Sequence, residues 1–464
     1  MKANLIPHPL LLAAAVVLTH FSTPVAAATA VVAGAETNAT LSLVPASAQA
    51  VRLNLTNAAN LAWTVEQSSD LINWFEVERV KPFNGVYHRA YPSAAGAAVF
   101  YRAFYDPARQ DIVSFTTNAL VLPAVPFNYA APVLPASFLV NPVLAQDTTP
   151  PNNPTTDAGA TLGRVLFYDK RLSTNQTIAC ASCHQPAHGF SDPRRFSVGW
   201  DDSAGTRNAM GLTHARWYLR RHFFWDERAN TLEDQVLQPI QNPIEMGMTL
   251  AALTNRLAAE PFYTNLFTQA FGSPDVTTNR ISRALAQFVR SIVAVQSKYD
   301  AGVTNNFADF NPQENLGRQI FFGQVGNPPA TCAACHGTDN FTAGAALNNN
   351  GLELPYVDPG VGGITGNPAN LGKFKAPSLR NIALTAPYMH DGRFTNLEQV
   401  VDFYDSGVVD NPNLSPPLRN PDGTVRRLHL TPQQKSALVT FLKTLTDPNL
   451  ATDPKLSDPF NYGD

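Results

Sequence analysis

All four cysteines of the chain fall into two pairs of identical spacing, Cys180-Ala181-Ser182-Cys183-His184 and Cys332-Ala333-Ala334-Cys335-His336. Two thiols one helical turn apart can add to the two vinyl groups of a haem, and a histidine directly after them sits beneath the iron as proximal ligand. One short motif therefore attaches the macrocycle and ligates its metal. Two other chemistries share the cysteine spacing. A redox disulfide needs no histidine and belongs in a thioredoxin-like βαβ pattern, and a zinc site would draw on both pairs at once. Neither accounts for a histidine after each pair, nor for the repetition around them.

That repetition defines the elements that position the motifs. Leu162-Gly163-Arg164-Val165-Leu166-Phe167 precedes the first pair by an interval close to that at which Leu316-Gly317-Arg318-Gln319-Ile320-Phe321 precedes the second, as expected of two copies of one module. Between the pairs, Ile281, Leu285, Phe288, Val289 and Ile292 recur as the apolar stripe of one amphipathic helix. Thr431-Pro432-Gln433-Gln434 reads as a capping box with proline in the first turn, opening a last helix through Leu438, Phe441, Leu442 and Leu445.

The length of 464 residues suggests roughly three folded units. Lys2, the apolar run Leu10 to Leu18 and the small residues Val25-Ala26-Ala27-Ala28 read as an export leader over residues 1–28. The run is shorter than the ~20 residues of a bilayer span, so an exported, periplasmic protein without a membrane span is expected. Residues 29–110 alternate with period two, as in Trp63-Thr64-Val65-Glu66, between turn residues, and read as a small β-sandwich without clustered ligands. Prolines recur through residues 111–156, which therefore read as an extended linker able to dock Phe127, Tyr129, Phe138 and Leu139. The expected fold is thus mostly α, with two cytochrome c-like helical haem domains in tandem, 157–305 and 306–448, and a tail over 449–464. A net charge of −3 with 15% charged residues gives no footprint for nucleic acid or an anionic membrane surface. Small molecules or proteins are the expected partners, and oligomeric state is left open.

Beyond the haem motifs stand Thr206-Arg207-Asn208-Ala209, Phe224-Trp225-Asp226-Glu227-Arg228, Gln241-Asn242-Pro243-Ile244-Glu245-Met246 and Ala386-Pro387-Tyr388-Met389-His390-Asp391-Gly392-Arg393. In this order, from Thr161 to Asp447, the chain resembles the bacterial di-haem cytochrome c peroxidase / MauG family. The resemblance implies two covalently bound c-type haems and a reaction with hydrogen peroxide at the first. It aligns Glu245 with the distal-pocket glutamate, a carboxylate that can move a proton from the near to the far peroxide oxygen; the alternative, read without the resemblance, is a solvated helix-start glutamate after Pro243. Trp225 aligns with the tryptophan lying between the haems, although a buried tryptophan is more often plain core. Asn208, Thr385 and Pro387 match positions that help bind a calcium ion, for which oxygen ligands are suited.

Two departures from the peroxidases follow. Where they place a displaceable histidine over the first haem, Ser197-Val198-Gly199-Trp200-Asp201 offers none. The first iron is therefore expected to be five-coordinate or water-ligated, with His188, His214 and His222 read as structural or surface residues. At the second haem, Tyr404 occupies the axial methionine position, a substitution that favours oxidised iron. Tyr404 is the expected sixth ligand, Met389 the alternative, and an ordinary aromatic helix residue the remaining reading. The expected activity is a peroxidase-type oxidation fed by electrons from a redox protein or a substrate protein. The competing expectation is an electron-transfer cytochrome with no peroxide chemistry.

Overall fold

The computed structural model describes residues 120–460 apart from 343 and 345, together with eight strands and the turn about Asp70 lying between residues 13 and 105. The strands are β1 (Ala13–Val17), β2 (Ala28–Val31), β3 (Thr40–Ser47), β4 (Ala50–Thr56), β5 (Trp63–Ser68), β6 (Phe75–Val80), β7 (Val86–Pro92) and β8 (Phe100–Tyr105). They form two four-stranded antiparallel sheets, ordered β1-β8-β5-β6 and β2-β3-β4-β7. Alternation explains the pairing of β5 with β8. Trp63, Val65, Tyr101 and Ala103 are buried, while Glu66 and Arg102 form an ion pair across the strands with the guanidinium 4.3 Å from the Trp74 ring centroid. β1 falls within the expected leader, and the cleavage stretch Val25-Ala26-Ala27 lies outside the described residues.

From residue 157 onward the regular elements are helices joined by turns and isolated bridges. Four of them, here α1 (Asp157–Tyr168), α2 (Thr278–Arg290), α3 (Pro312–Phe321) and α5 (Pro432–Lys443), build two equivalent crossings; the short α4 (Leu397–Asp402) precedes α5. Helix α1 packs on α2 and α3 on α5. The repeated Leu-Gly-Arg explains both. A β-carbon at Gly163 would stand 2.0 Å from the Ala284 carbonyl oxygen, and one at Gly317 would stand 2.0 Å from that of Ala437. Only glycine lets the helices approach this closely. The stripe Ile281, Leu285, Phe288, Val289 and Ile292 is buried as expected, and Thr431 and Gln434 cap each other reciprocally.

Each crossing centres its own core, one around Phe167, Phe190, Phe267 and Phe288, the other around Phe321, Phe341 and Phe441. The Pro-rich segment is more than a spacer. Tyr129 enters the first core, and Phe138 and Val143 pack with Trp217. Leu139, expected to dock, is 57% exposed instead. It follows the turn Ala136–Phe138, in which Phe138 takes the inward position and the next residue points out. The tail also folds: Leu450, Leu456 and Phe460 are buried in the first core, although they follow the second helical unit in sequence. Among the described residues no helix is long and apolar enough to cross a membrane.

Candidate functional site

Cys180–Cys183 forms a single helical turn closed by the His184 amide, which donates to the Cys180 carbonyl at 2.9 Å. His184 Nδ1 lies 2.8 Å from the Phe190 carbonyl oxygen, an acceptor that favours the tautomer with hydrogen on Nδ1. Burial pushes the His184 pKa down, keeping the ring neutral, and pushes the Cys180 and Cys183 thiols up to about 12 and about 11. The cysteines are not joined by a disulfide. Cys180 packs against the first core and Cys332 against the second, so the pairs do not share the single site that a zinc reading requires.

Glu245 reaches the first pair from a loop. The Trp200 amide donates to its carbonyl at 3.0 Å, the Trp200 indole donates to the Pro243 carbonyl at 2.7 Å, and the Thr174 amide donates to the Met246 carbonyl at 2.9 Å. Gly247, at φ +61°, lies against the Trp200 indole where a side chain would collide. The loop is thereby pinned. The Glu245 carboxylate accepts a 2.7 Å hydrogen bond from Asn242 Nδ2. Burial raises its pKa against the opposing pull of Arg228, and its charge acts on both Cys180 and Cys183. The residue lies ahead of the following helix, which begins at Leu250, and outside that helix's first turn. Across from it the loop of Ser197 to Asp201 packs on the Ile244 carbonyl. His214 is buried and neutral, held by Asn340 and Ala294, and serves to join the two units.

At the second pair a cavity of about 240 Å³ is lined by Cys332, Cys335 and His336 together with Met389 and Tyr404. His336 Nδ1 faces the Phe341 carbonyl at 3.4 Å, and burial lowers its pKa to about 4. Tyr404 sits in a π-helical turn, Phe403–Gly407, that continues α4. Such wider turns are rare and often mark functional positions. Burial pushes the Tyr404 phenol up to about 12, while a side-chain hydrogen bond from Asn350 opposes the shift. Met389 is held at φ +73° with its sulfur 3.4 Å from Asn350 Nδ2. Sequence reasoning missed Asn350. Its signal was the run Asn348-Asn349-Asn350-Gly351, whose neighbours in space lie far along the chain.

Trp225 lines the same cavity from the first unit's side. Its indole donates to the Asn208 carbonyl at 2.8 Å, and its ring meets His390 edge-on at 6.5 Å. Phe224 and Glu227, on either side, both have left-handed backbones, at φ +69° and +55°. Strain of this kind persists where the surroundings over-determine it. Here Arg207 bonds both Asp226 and Asp358, and Glu227 is engaged by Tyr218 and Arg220. Asn208, Thr385 and Pro387 share this wall. Asn208 Nδ2 points at the Arg194 and Arg195 carbonyls, at 3.2 and 3.3 Å, and Thr385 Oγ1 donates to Ile382. Among the described residues no three His, Cys, Asp or Glu side chains cluster as a metal site, so any cation here would rely on neutral oxygens.

Half-buried thiol pairs each followed by a histidine, and an apolar cavity at the second pair, are the donor set and space that a haem requires. Comparison with known proteins agrees. The profile of the di-haem cytochrome c peroxidase family matches residues 157–307 and 311–451. The chain is 33% identical over 298 residues to methylamine utilization protein MauG of Methylophilus methylotrophus, covering 64% of this chain and 84% of that protein. It is 34% identical over 325 residues to cytochrome c551 peroxidase of Nitrosomonas europaea, covering 68% and 86% respectively. The crystal structure of a MauG-like protein associated with microbial copper homeostasis superposes with a TM-score of 0.60 at 34% identity, over 72% of this chain and 99% of that one. The diheme peroxidase BthA from Burkholderia thailandensis, at 24% identity and a TM-score of 0.55 over 66% and 91% of the two chains, shares the fold. The chain belongs to the di-haem cytochrome c peroxidase family and is an oxidoreductase of that family.

Proposed function

We propose that this protein is an exported peroxidase-type oxidoreductase carrying two haems in thioether linkage, one on Cys180 and Cys183 and one on Cys332 and Cys335, with His184 and His336 as proximal ligands. Haem, once attached, supplies an iron that binds hydrogen peroxide and a ring system that holds oxidising equivalents. The chain's own residues do the rest. Glu245 takes the proton from the near peroxide oxygen and delivers it to the far one, a role suited to a carboxyl whose pKa burial has raised. Trp225, in the wall of the second cavity, offers an aromatic stop for electrons moving between the two sites. Tyr404 would supply its phenol oxygen to the iron of the second haem, and Asn208, Thr385 and Pro387 would hold a calcium ion that steadies the boundary between the units. Electrons come from a redox protein or from a residue of a substrate protein.

The observation that carries this reading is the half-buried Glu245 carboxyl, held by Asn242 and close enough for its charge to act on the first cysteine pair. Mixing the ferric protein with hydrogen peroxide and recording the Soret and near-infrared bands tests it. Rapid spectral change is expected, and unchanged spectra would leave electron transfer as the activity. Intact-mass measurement checks the linkage and the leader together: the mature chain should start near Ala28 and carry the added mass of two haems.

A further inference from the structure

The second cavity is lined by two side chains that could ligate an iron, Met389 and Tyr404, and the Asn350 amide lies in the same wall. Asn350 Nδ2 is 3.4 Å from the Met389 sulfur, within range of an N–H···S hydrogen bond, and the same side chain shares the cavity wall with the Tyr404 phenol, whose pKa it lowers against burial. An asparagine amide has two N–H donors, one for each neighbour. A thioether whose lone pair accepts an N–H is held back from a metal, whereas a phenolate that accepts one is stabilised.

The backbone beneath Asn350 is fixed. Asn349, 2% exposed, receives the Gly351 amide at 2.8 Å on its Oδ1, and its own amide donates to Ser415 Oγ at 2.9 Å. The Val409 amide donates to the Gly351 carbonyl at 2.8 Å, and Gly351 adopts φ +72° where a β-carbon would stand 2.6 Å from Val408. The donor is therefore presented by a rigid turn that cannot swing with the ligands.

From this geometry we infer that Asn350 is a positioning residue that selects Tyr404 over Met389 as the sixth ligand of the second haem. The inference rests on the assignment of Tyr404 as ligand made above. Removing the donor would free the Met389 sulfur to hold the iron in place of the Tyr404 oxygen, and Tyr404 would then keep one proton as a neutral phenol. No electron is transferred in the exchange. Because methionine favours reduced iron and phenolate oxidised iron, the potential of that haem rises.

The test uses the full-length holoprotein and reads the low-spin haem by visible and near-infrared spectroscopy and by spectroelectrochemical titration. Asn350→Leu should gain the near-infrared charge-transfer band of methionine-ligated ferric haem and shift the midpoint potential upward. Adding Met389→Leu to that variant should abolish the new band. Asn350→Asp keeps the size, removes the N–H, and should behave in the same way if leucine is not accommodated. Tyrosine-type spectra in both Asn350 variants overturn the positioning role. Tyr404→Phe separates the two layers: a changed spectrum there with unchanged Asn350 variants removes only the selector, whereas an unchanged Tyr404→Phe spectrum removes the ligand assignment itself.

Discussion

At the scale of single residues, Glu245 carries the sharpest expectation. Replacing it with glutamine keeps the hydrogen-bonding shape beside Asn242 but removes the group that carries the proton, so peroxide-dependent turnover should fall by about 10²–10⁴-fold with the haem spectra intact. The pH profile gives a second reading. Burial raises the carboxyl's pKa, and the base form is lost as pH falls through that value. The acid limb of kcat/KM should therefore lie above the usual carboxylate range in the native protein and vanish in Glu245→Gln. Linkage runs the opposite way for folding: a carboxyl raised in the native state favours the fold at low pH, and this contribution fades as pH rises through the raised value. Trp225→Phe makes a separate prediction. It keeps an aromatic ring in the cavity wall but orphans the Asn208 carbonyl, at about 1–3 kcal/mol, and stopped-flow reduction should show slower exchange between the haems. The residues themselves were unequally legible. The two Cys-x-x-Cys-His motifs are contiguous, so their chemistry is written in the spacing. Asn350 meets Met389 from 39 residues away, and nothing local marks that encounter.

At the scale of elements, the glycine at each helix crossing is the feature that makes the two units equivalent. Gly317→Ala would drive a β-carbon into the Ala437 carbonyl and toward Phe441 Cβ, 2.7 Å away, so α3 and α5 must part. Overpacking of this kind costs about 1–3 kcal/mol or more. Chemical denaturation followed at both Soret bands should show the loss in the second unit, and Gly163→Ala should show it in the first; the two are far enough apart to add. A substitution that left both transitions in place would mean that the crossings are looser than the packing indicates. The elements were legible where a local rule governs them. The stripe from Ile281 to Ile292 and the cap at Thr431 follow from helical period and capping chemistry alone. The π-helical turn at Phe403–Gly407 is different, because an inserted residue in a helix leaves no compositional trace. Leu139 shows the same limit, its side being decided by the turn before it and not by its apolarity.

At the scale of the whole molecule, the two ends of the stretch from Leu120 to Phe460 close on one another. Leu120 bridges Phe460, the Val121 amide donates to the Pro459 carbonyl at 2.7 Å, and Tyr129 OH donates to the Lys455 carbonyl at 2.6 Å. From the first helix of the first unit, Arg164 donates to the Pro454 carbonyl at 2.6 Å and Tyr168 to that of Leu456 at 2.5 Å. A composition-based reading sees residues 449–464 as a tail because they contain prolines, aspartates and few apolar residues, yet those few are the ones that the first core takes in. The consequence is specific. Ending the chain after Pro448 removes Leu450, Leu456 and Phe460, each worth about 1.5–3 kcal/mol of burial as an upper bound. It also leaves Arg164 and Tyr168, 2% and 4% exposed, without their carbonyl partners. The truncated protein should therefore lose several kcal/mol from the first unit, about 4 or more, while the adjoining second unit keeps its stability. Denaturant unfolding read separately at each haem decides the matter. A loss confined to the second unit would mean that the tail serves its sequence neighbour, and the bonds from α1 would then carry no weight in the fold.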